Sequence, residues 1–299
     1  MDSEIAVYIL THNRPDTIMR SLNSVRNQNL RDIKIIVSDN SDNGKTEKLV
    51  LEVLKKDSRI EYVHRTEDIC QSGIGHINYI LKHNKYEYFI MFHDDDEMLP
   101  NMVQLLYAKM LGDSSLVAVG CNAFFNINGR LTKHKTCSIT SPLKLFTPEE
   151  VIKYYICRNI VPFPSYMYRS SLLRYSDGLV KEHGGKYSDS SFIVDLTKVG
   201  NLEMLPSCGM IYFVSKNQDS YAHNYSQYLS LINYWGNTYS CKKELLQARI
   251  YNIYNSLKVS LREDGFVTFK KTIFKMFLKC SPTKFLLKYI YLLLKNKIV

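Results

Sequence analysis

The sequence predicts an α/β fold with a Rossmann-like, mostly parallel sheet and a helical, basic C-terminal extension. The first observation is a set of short apolar runs of strand length, at residues 4–10, 33–38, 60–64 and 88–92. The second is helical spacing between these runs, and the third is the shortness of the loops. Strands that alternate with helices through short loops form βαβ units, which build parallel sheets.

The first helix is predicted from a possible cap and from apolar spacing. Asn13 can cap a helix and Pro15 suits its first turn, while Ile18, Leu22 and Val25 repeat at helical intervals as far as about Asn27. Further helices are predicted over about 46–56 and 73–84. The strand pattern therefore alternates with helices up to the run that ends at residue 92.

Beyond residue 115 the pattern changes. A strand is expected at 116–125, a hairpin turn at 126–129, a helix at 148–158 and a late strand at 208–214. From about residue 224 the chain is expected to be helical to its end. These elements predict that the second half contributes further strands and then continues as a helical region without strands.

Composition limits the classes of protein. The chain has 299 residues, 45% of them hydrophobic, and this is enough for a large buried core. Its seven cysteines form no CxxC pair, which disfavours a zinc site or a disulfide framework and favours reduced thiols in a cytosolic setting. The N-terminus has neither a basic region nor a cleavage signal, so no secretory peptide is expected.

The positive charge is concentrated at the C-terminal end. From Lys258 to Val299 there are ten Lys or Arg against two acids, which leaves +8 of the total net charge of +10. Apolar residues at helical spacing alternate with these lysines, and the ten-residue run at 285–294 is too short to span a membrane. The pattern favours helices lying on an anionic membrane surface; packing on the rest of the protein is the alternative.

Polar clusters follow three of the predicted strands, where parallel sheets bind ligands. Three adjacent carboxylates, Asp94, Asp95 and Asp96, come directly after the apolar strand at 88–92. Because like charges repel, the cluster suggests a divalent cation, Mn²⁺ or Mg²⁺, held together with a substrate diphosphate. A solvated loop with acids capping the next helix is the alternative.

The other polar positions are weaker signals when taken alone. Asp39 ends a strand and could accept hydrogen bonds from a base or ribose, or it could form an ordinary turn. His12 could stack on a base and Arg14 could meet a phosphate, but loop positions explain both. Gly73 and Gly75 begin a helix and could let the backbone approach a ligand, although a tight turn explains them as well.

Taken in order, these motifs resemble family 2 of the inverting glycosyltransferases, which have the GT-A fold. The resemblance covers about residues 4–220. Its parts are a strand into Thr11-His12-Asn13-Arg14, a strand into Asp39-Asn40-Ser41, the helix opened by Gly73 to Asn78, and the segment YFIMFHDDDEMLP at 88–100. The last part resembles the metal-binding DxD motif of that family, with His93 in place of a commoner Asp.

The resemblance implies roles for the matching residues. Asp95 is expected to bind the metal and Asp94 to lie near both the ribose and the metal. Asp39 is expected to bind the base, usually uracil. The remaining expected contacts to the nucleotide sugar come from Thr11, His12, Asn13, Arg14 and Gly73.

A later segment, Gly184-Gly185-Lys186-Tyr187-Ser188-Asp189, resembles the region that precedes the family's catalytic acid. It implies that Asp189 is the general base; a loop acid is the alternative, and Asp195 is a rival for the role. The segment at 161–169 resembles the one before the acceptor region. Many relatives carry a histidine after the last strand, but Tyr212-Phe213-Val214-Ser215 stands there, and His223 has no clear counterpart.

The resemblance implies an inverting, metal-dependent hexosyltransferase that moves a sugar from a UDP-sugar to an acceptor hydroxyl. The expected acceptor is a polyprenyl-diphosphate-linked saccharide of O-antigen or capsule synthesis, at the inner face of the plasma membrane. The predicted domains are a catalytic domain at 1–222, with a nucleotide-sugar half at 1–115 and an acceptor half at 116–222, and a helical region at 223–299.

Two other functions are weighed against this one. An inactive adaptor that binds nucleotide sugars at the membrane would share the fold, but the presence of Asp95 and Asp189 argues against it. A nucleic-acid binder is suggested by the isoelectric point of about 9.1. The sequence has no recognised nucleic-acid module, and its positive charges alternate with long apolar runs, so no nucleic-acid partner is expected.

Overall fold

The computed structural model describes residues 3–214 and 223–263, with side chains as far as residue 256. The described residues fall into two compact units. The first contains residues up to 180 together with 189–215, and includes the sheet. The second contains residues 181–188 and the two helices at Tyr225–Thr238 and Lys242–Glu263.

The first unit is built on one large mixed sheet. Its strands are β1 (Ile5–Thr11), β2 (Lys34–Asp39), β3 (Ile60–His64), β4 (Tyr88–His93), β5 (Glu97–Met98), β6 (Leu116–Ile127), β7 (Arg130–Lys135), β8 (Leu143–Leu145), β9 (Tyr166–Arg169) and β10 (Asn201–Val214). Along the sheet the order is β3-β2-β1-β4-β9-β6-β10-β5, with β7 on β6 and β8 on β10. The strands β3, β2, β1 and β4 are parallel neighbours, as the alternating pattern predicts.

The helices described are α1 (Pro15–Arg26), α2 (Lys45–Leu54), α3 (Gly73–His83), α4 (Met102–Gly112), α5 (Pro148–Ile156), α6 (Ser170–Leu173), α7 (Ser188–Asp195), α8 (Tyr225–Thr238) and α9 (Lys242–Glu263). The apolar residues that α1 repeats at helical spacing are fully buried against the sheet. A capping box between Thr147 and Glu150 begins α5. None of the described helices combines the length and hydropathy needed to cross a membrane.

A buried arginine ties the middle of the sheet to α4. The Arg169 side chain donates hydrogen bonds to the carbonyls of Leu116, Met110 and Asp113 and to the Tyr88 hydroxyl, at 2.6–3.0 Å. Met110 and Asp113 lie at the C-terminal end of α4, where carbonyls without intrahelical partners favour a cation. Arg169 therefore stabilises the junction of β4, β9, β6 and α4.

The structure corrects several details of the sequence-based expectations. Asn13 does not cap α1: the cap position is Arg14, and the Asn13 side chain instead bonds to Asp42 and Asn43 in the neighbouring loop. The late strand is longer than predicted, since β10 begins at Asn201. The helix over 224 onward is described only to Glu263, so the predicted membrane-surface segment lies outside the described residues.

Candidate active site

Three strand ends meet at one edge of the sheet, and the polar motifs lie there. In the register of β1 with β2, Thr11 pairs with Asp39. In the register of β1 with β4, Leu10 pairs with His93. The sequence-predicted residues around Thr11, Asp39 and the acidic triplet are thus brought together by the topology alone.

The loops that follow β1 and β2 are hydrogen-bonded to each other. The His12 ring nitrogen Nδ1 lies 2.9 Å from the Asn40 carbonyl, and the Asn13 amide donates to the Ser41 hydroxyl at 2.7 Å. Asn13 has a φ of 55°, in the left-handed region that asparagine tolerates better than most residues. This conformation turns the chain toward α1 and leaves His12 and Arg14 exposed at the rim of the site.

Asp39 is completely buried at the bottom of this edge. Its Oδ1 accepts a hydrogen bond from the Ser41 amide at 2.8 Å, and its Oδ2 accepts one from the Tyr62 hydroxyl at 2.9 Å. The carboxylate therefore stabilises the turn after β2, which is the ordinary turn role that the sequence also allowed. Its predicted contact with a base stays a prediction.

Arg14 bridges two of the three clustered acids. Its Nη1 lies 3.0 Å from Oδ1 of Asp94 and 2.8 Å from Oδ2 of Asp95. Burial raises the pKa of Asp94 to about 6, although the Arg14 charge opposes that rise. Asp94 Oδ2 is buried and has no hydrogen-bond partner in the described part of the chain. The arginine thus offsets only part of the cost of gathering these carboxylates.

Asp94, Asp95 and Asp96 form the acidic loop between β4 and β5. Asp96, the third acid, connects this loop to β10. Its Oδ1 accepts a hydrogen bond from the Phe213 amide at 2.9 Å, and the Arg20 guanidinium lies 3.6 Å from the centre of the Phe213 ring. Burial raises the pKa of Asp96 well above its ordinary value. Among the described residues, its Oδ2 has no hydrogen-bond partner although it is buried. A buried carboxylate oxygen with this geometry can accept a cation.

His93, Asp95 and Asp96 form the group that could hold a metal ion. One potential ligand atom from each lies within 4.8 Å of the others. Hard divalent cations take oxygen ligands, and imidazole nitrogen is a common ligand for transition metals, so the donor set fits a divalent ion. Burial lowers the pKa of His93, which favours its neutral, ligand-competent form. Asp95 was predicted as a ligand; Asp94, also predicted, is outside this group.

The first helix holds the acidic loop in place through a polar stripe. The Ser21 hydroxyl donates to the His93 carbonyl at 3.0 Å, and the Ser24 hydroxyl accepts from the Met98 amide at 2.9 Å. Gln28 donates to the Leu99 carbonyl at 2.8 Å and accepts from the amide of Val103 at 3.0 Å. Ser21 and Ser24 lie on α1, and Gln28 follows just after the helix ends at Arg26. Together they hold the backbone from His93 to Val103, which contains the three acids.

With the fold and this edge defined, known proteins can be compared. The family model described as glycosyl transferase family 2 matches residues 6–175, more than half of the chain. The chain belongs to glycosyl transferase family 2. Several of the residues described above, from Thr11 to Asp96, lie inside the matched region.

Two curated relatives have low identity to this family 2 chain. One is the GalNAc(5)-diNAcBac-PP-undecaprenol beta-1,3-glucosyltransferase of Campylobacter jejuni, 28% identical over 130 residues, which are 44% of this chain and 41% of the relative. The other is an uncharacterised glycosyltransferase of Methanocaldococcus jannaschii, 25% identical over 188 residues, 59% of this chain and 60% of the relative. The matched regions thus span less than two thirds of either relative.

Solved structures show the same fold at lower identity. S. aureus TarS in complex with UDP has a TM-score of 0.60 and 17% identity, over 87% of this chain and 73% of that one. The mannosyltransferase PcManGT from Pyrobaculum calidifontis, in complex with GDP-Man and Mn²⁺, has a TM-score of 0.61 and 14% identity, over 100% of this chain and 80% of that one. The fold of this family 2 member is that of the GT-A glycosyltransferases.

Asp189 lies in the first turn of α7, and aromatic rings connect that helix to the acidic loop. The His93 ring lies 6.1 Å from that of Phe163, and Phe163 lies 6.3 Å from Phe192, three residues after Asp189 on α7. Tyr168 packs on the same cluster, 5.9 Å from Phe192. The aromatic cluster of Phe163, Tyr168 and Phe192 therefore connects His93 at the end of β4 to the helix that carries Asp189.

The Asp189 carboxylate itself is held by its neighbour. Its Oδ1 accepts hydrogen bonds from the Ser190 amide at 2.7 Å and from the Ser190 hydroxyl at 3.1 Å. Enclosure by the surrounding protein raises the pKa of Asp189 above its ordinary value of 3.8, despite these bonds. A raised pKa makes a carboxylate a stronger base when it is ionised.

The two glycines that begin α3 differ in their surroundings. A Cβ on Gly75 would lie 1.8 Å from the Ile69 carbonyl oxygen, so this position requires glycine for packing. A Cβ on Gly73 would meet no atom within 4 Å, so nothing in the described surroundings requires glycine there. Further along α3, Asn78 exchanges two hydrogen bonds of 2.8 Å with the backbone of Leu179.

Sequence reasoning missed several residues that shape the site. They are His93 as a potential ligand, Ser21, Ser24 and Gln28 as supports of the loop, and Phe163 and Phe192 in the aromatic cluster. Asp96 was part of the predicted acidic cluster but was not assigned as a ligand. A signal existed for the supports, because polar side chains at positions 21, 24 and 28 repeat at intervals of three and four along and just after the first helix.

Proposed function

We propose that this family 2 protein is an inverting, metal-dependent hexosyltransferase that moves a sugar from a UDP-sugar to an acceptor hydroxyl. The observation that carries the proposal is the acidic loop at the edge where β1, β2 and β4 end, with Asp189 across an aromatic cluster from it. In this proposal the strand ends supply the groups for the nucleotide and the metal, and α7 supplies the base. Each group has a part in a single displacement.

His93, Asp95 and Asp96 are the residues that would hold a divalent ion, and Asp94 lies beside them. When bound, such an ion offsets the negative charge that a departing nucleoside diphosphate gains. Arg14, exposed at the rim and paired with Asp94 and Asp95, has a guanidinium that can turn to a phosphate once a cation takes over those carboxylates. Thr11, His12, Asn13 and the turn after Asp39 would form the nucleoside pocket.

Asp189 would accept the proton of the acceptor hydroxyl as that oxygen attacks the sugar. A hydroxyl is a poor nucleophile unless a base removes its proton in the transition state. The hydrogen bonds from Ser190 fix one oxygen of the carboxylate and leave the second for the substrate. One base and a direct displacement invert the configuration at the sugar carbon.

The donor and acceptor are proposed from the relatives. UDP is proposed because TarS, which shares the fold, was solved in complex with UDP and with UDP-GlcNAc. A polyprenyl-diphosphate-linked acceptor is proposed because the Campylobacter jejuni relative is named for a PP-undecaprenol substrate. Such an acceptor would place the protein at the inner face of a plasma membrane, in the assembly of a surface polysaccharide such as O-antigen or capsule.

Replacement of Asp189 by Asn tests the proposed base. We expect transfer from a UDP-sugar to a lipid-linked acceptor to fall by at least about 10²-fold, the lower range for loss of a general base. UDP binding in the presence of Mn²⁺, measured by calorimetry, should stay near wild type because Asp189 lies on α7, away from the nucleotide residues. Asp195→Asn is the matched control, since Asp195 ends the same helix and pairs with Lys198 at 3.1 Å.

Three results would refute the proposal, each in a different way. Transfer that survives in Asp189→Asn but is lost in Asp195→Asn would mean that Asp195 is the base. UDP binding that requires Mn²⁺, with no transfer or hydrolysis of any UDP-sugar, would identify the inactive adaptor instead. An α-linked product from an α-linked donor would contradict inversion.

A further inference from the structure

We propose that His93 gives an imidazole nitrogen to the bound metal, beside the carboxylates of Asp95 and Asp96. The site would then be a mixed nitrogen–oxygen site that selects a first-row transition-metal ion such as Mn²⁺ over Mg²⁺. The inference rests on the proposed function in one respect, namely that a divalent ion binds at this loop. It goes further by specifying His93 as a nitrogen ligand and a first-row transition-metal ion as the preferred metal.

The position of His93 supports this assignment. It is the last residue of β4, and its carbonyl is fixed by the Ser21 hydroxyl, so the backbone that carries the ring is anchored on both sides. The ring also packs near Phe163, at 6.1 Å between centroids. Within the described part of the chain, no hydrogen bond engages its ring nitrogens, although one of them lies in the group of ligand atoms spanning 4.8 Å.

Asp96 gives the second, independent observation. Its side chain is 1% exposed, and the Phe213 amide occupies only Oδ1. The other oxygen, Oδ2, is buried and has no hydrogen-bond partner among the described residues. An unpaired buried carboxylate oxygen is costly unless something binds it, and a cation between Asp96, Asp95 and His93 would satisfy it.

The chemistry of the donor set decides the metal class. Mg²⁺ demands oxygen ligands in near-ideal octahedral geometry and keeps several waters. An imidazole nitrogen suits first-row transition metals better than Mg²⁺, and two carboxylates suit Mn²⁺. Replacing His93 by an aspartate would return the site to oxygen ligands alone and should narrow the preference for Mn²⁺.

Electron spin-echo spectroscopy of bound Mn²⁺ tests the ligand directly. Full-length protein is loaded with Mn²⁺ alone, and separately with Mn²⁺ and UDP, and the echo is examined for modulation by a directly bound nitrogen. We expect this modulation in the wild-type protein, and we expect [¹⁵N]histidine labelling to change it. His93→Asp should lose the modulation, while His64→Asn, which removes the exposed histidine at the end of β3, should keep it, because β2 and β1 separate β3 from β4.

Competition titrations with Mg²⁺ give the second measurement. We expect the ratio of Mn²⁺ to Mg²⁺ affinity to fall by about tenfold or more in His93→Asp, the lower range seen when the surroundings of a metal ligand are changed. No nitrogen modulation in wild-type protein that still binds UDP in a Mn²⁺-dependent way would overturn this inference and leave the proposed function intact. Modulation that persists in His93→Asp would also overturn it. Absence of Mn²⁺ binding, with or without UDP, would overturn both.

Discussion

Replacing Asp94 by Asn should make the metal-free protein more stable at neutral pH. Burial raises the pKa of this carboxyl from 3.8 to about 6, so the folded state holds the proton more tightly than the unfolded chain does. The stabilisation from proton binding is fully present below pH 3.8 and is lost as the pH rises through about 6. Above that pH, the folded protein carries a buried charge that asparagine would not.

The size of the effect follows from the difference between the folded and unfolded pKa values. A pKa that differs by one between the two states corresponds to about 1.4 kcal/mol, so the rise from 3.8 to about 6 gives about 3 kcal/mol between acid and neutral pH. The raised pKa already includes the attraction of Arg14, so this free energy is net of the ion pair. We therefore expect Asp94→Asn and wild type to differ little near pH 4 and to diverge by about 3 kcal/mol above pH 7.

Urea unfolding of both proteins between pH 4 and 8, in buffer with a chelator, measures this difference. Asp177→Asn is the matched control, since Asp177 is exposed and its charge stays in water. A difference between Asp94→Asn and wild type that is constant across this pH range would refute the reasoning. On the proposed function, in which Asp94 lies beside the nucleotide and the metal, the stabilised variant should also show weaker Mn²⁺-dependent UDP binding.

Three further substitutions test how the site is supported. Arg169→Met should lower the free energy of unfolding by about 3–5 kcal/mol, because it strands several buried carbonyls, while Arg174→Met, at an exposed position, should change it by less than about 0.5 kcal/mol in thermal or urea unfolding. Gly75→Ala should cost about 3 kcal/mol through overlap with a backbone carbonyl, whereas Gly73→Ala should be tolerated, as thermal melting would show. Gln28→Leu should cost about 1–3 kcal/mol by leaving the Leu99 carbonyl and the Val103 amide unpaired, and calorimetry should show weaker Mn²⁺-dependent UDP binding. Asn23→Leu, at an exposed position on α1, is the control.

The parallel half of the sheet was predictable because its signals are local. The strands β1, β2 and β4 are apolar runs that the structure buries, and Thr11, Asp39 and His93 end these neighbouring strands. A chain of βαβ units must place such ends at one edge. The order of the motifs along the chain and the apolar pattern of the strands were therefore sufficient to predict that the motifs lie at one edge of the sheet.

The second half was less predictable because its pairings are distant in sequence. The strand β9 has only four residues, and it lies between β4 and β6 because Arg169 and its neighbours find partners there. The early part of β10 contains Pro206 and Gly209, and its pairing with β6 shifts register in that region, which hides the strand signal. Such irregularities depend on tertiary contacts that periodicity does not record.

The different partners of the three adjacent acids could not be predicted from their positions in the sequence. Asp94 faces Arg14, Asp96 faces the amide of Phe213, and Asp95 belongs both to the arginine pair and to the potential metal group. These directions depend on the turn after β4 and on residue 213 of a strand more than a hundred positions later. The resemblance predicted Asp95 as a metal ligand, and that role stays a prediction, while it assigned no such role to Asp96.

The way the acidic loop is anchored explains how it can both fold and remain available to a ligand. Ser21, Ser24 and Gln28 hold it through backbone amides and carbonyls, so the anchoring does not consume carboxylate oxygens. Oδ2 of Asp94 and Oδ2 of Asp96 are consequently left buried and without partners in the described structure. Arg20 follows the same rule, because its guanidinium donates to the backbone carbonyl of Asp95 and not to a carboxylate. Arg14 pairs with the carboxylates of Asp94 and Asp95, and its side chain is 42% exposed, so it could turn away if a metal bound there as proposed.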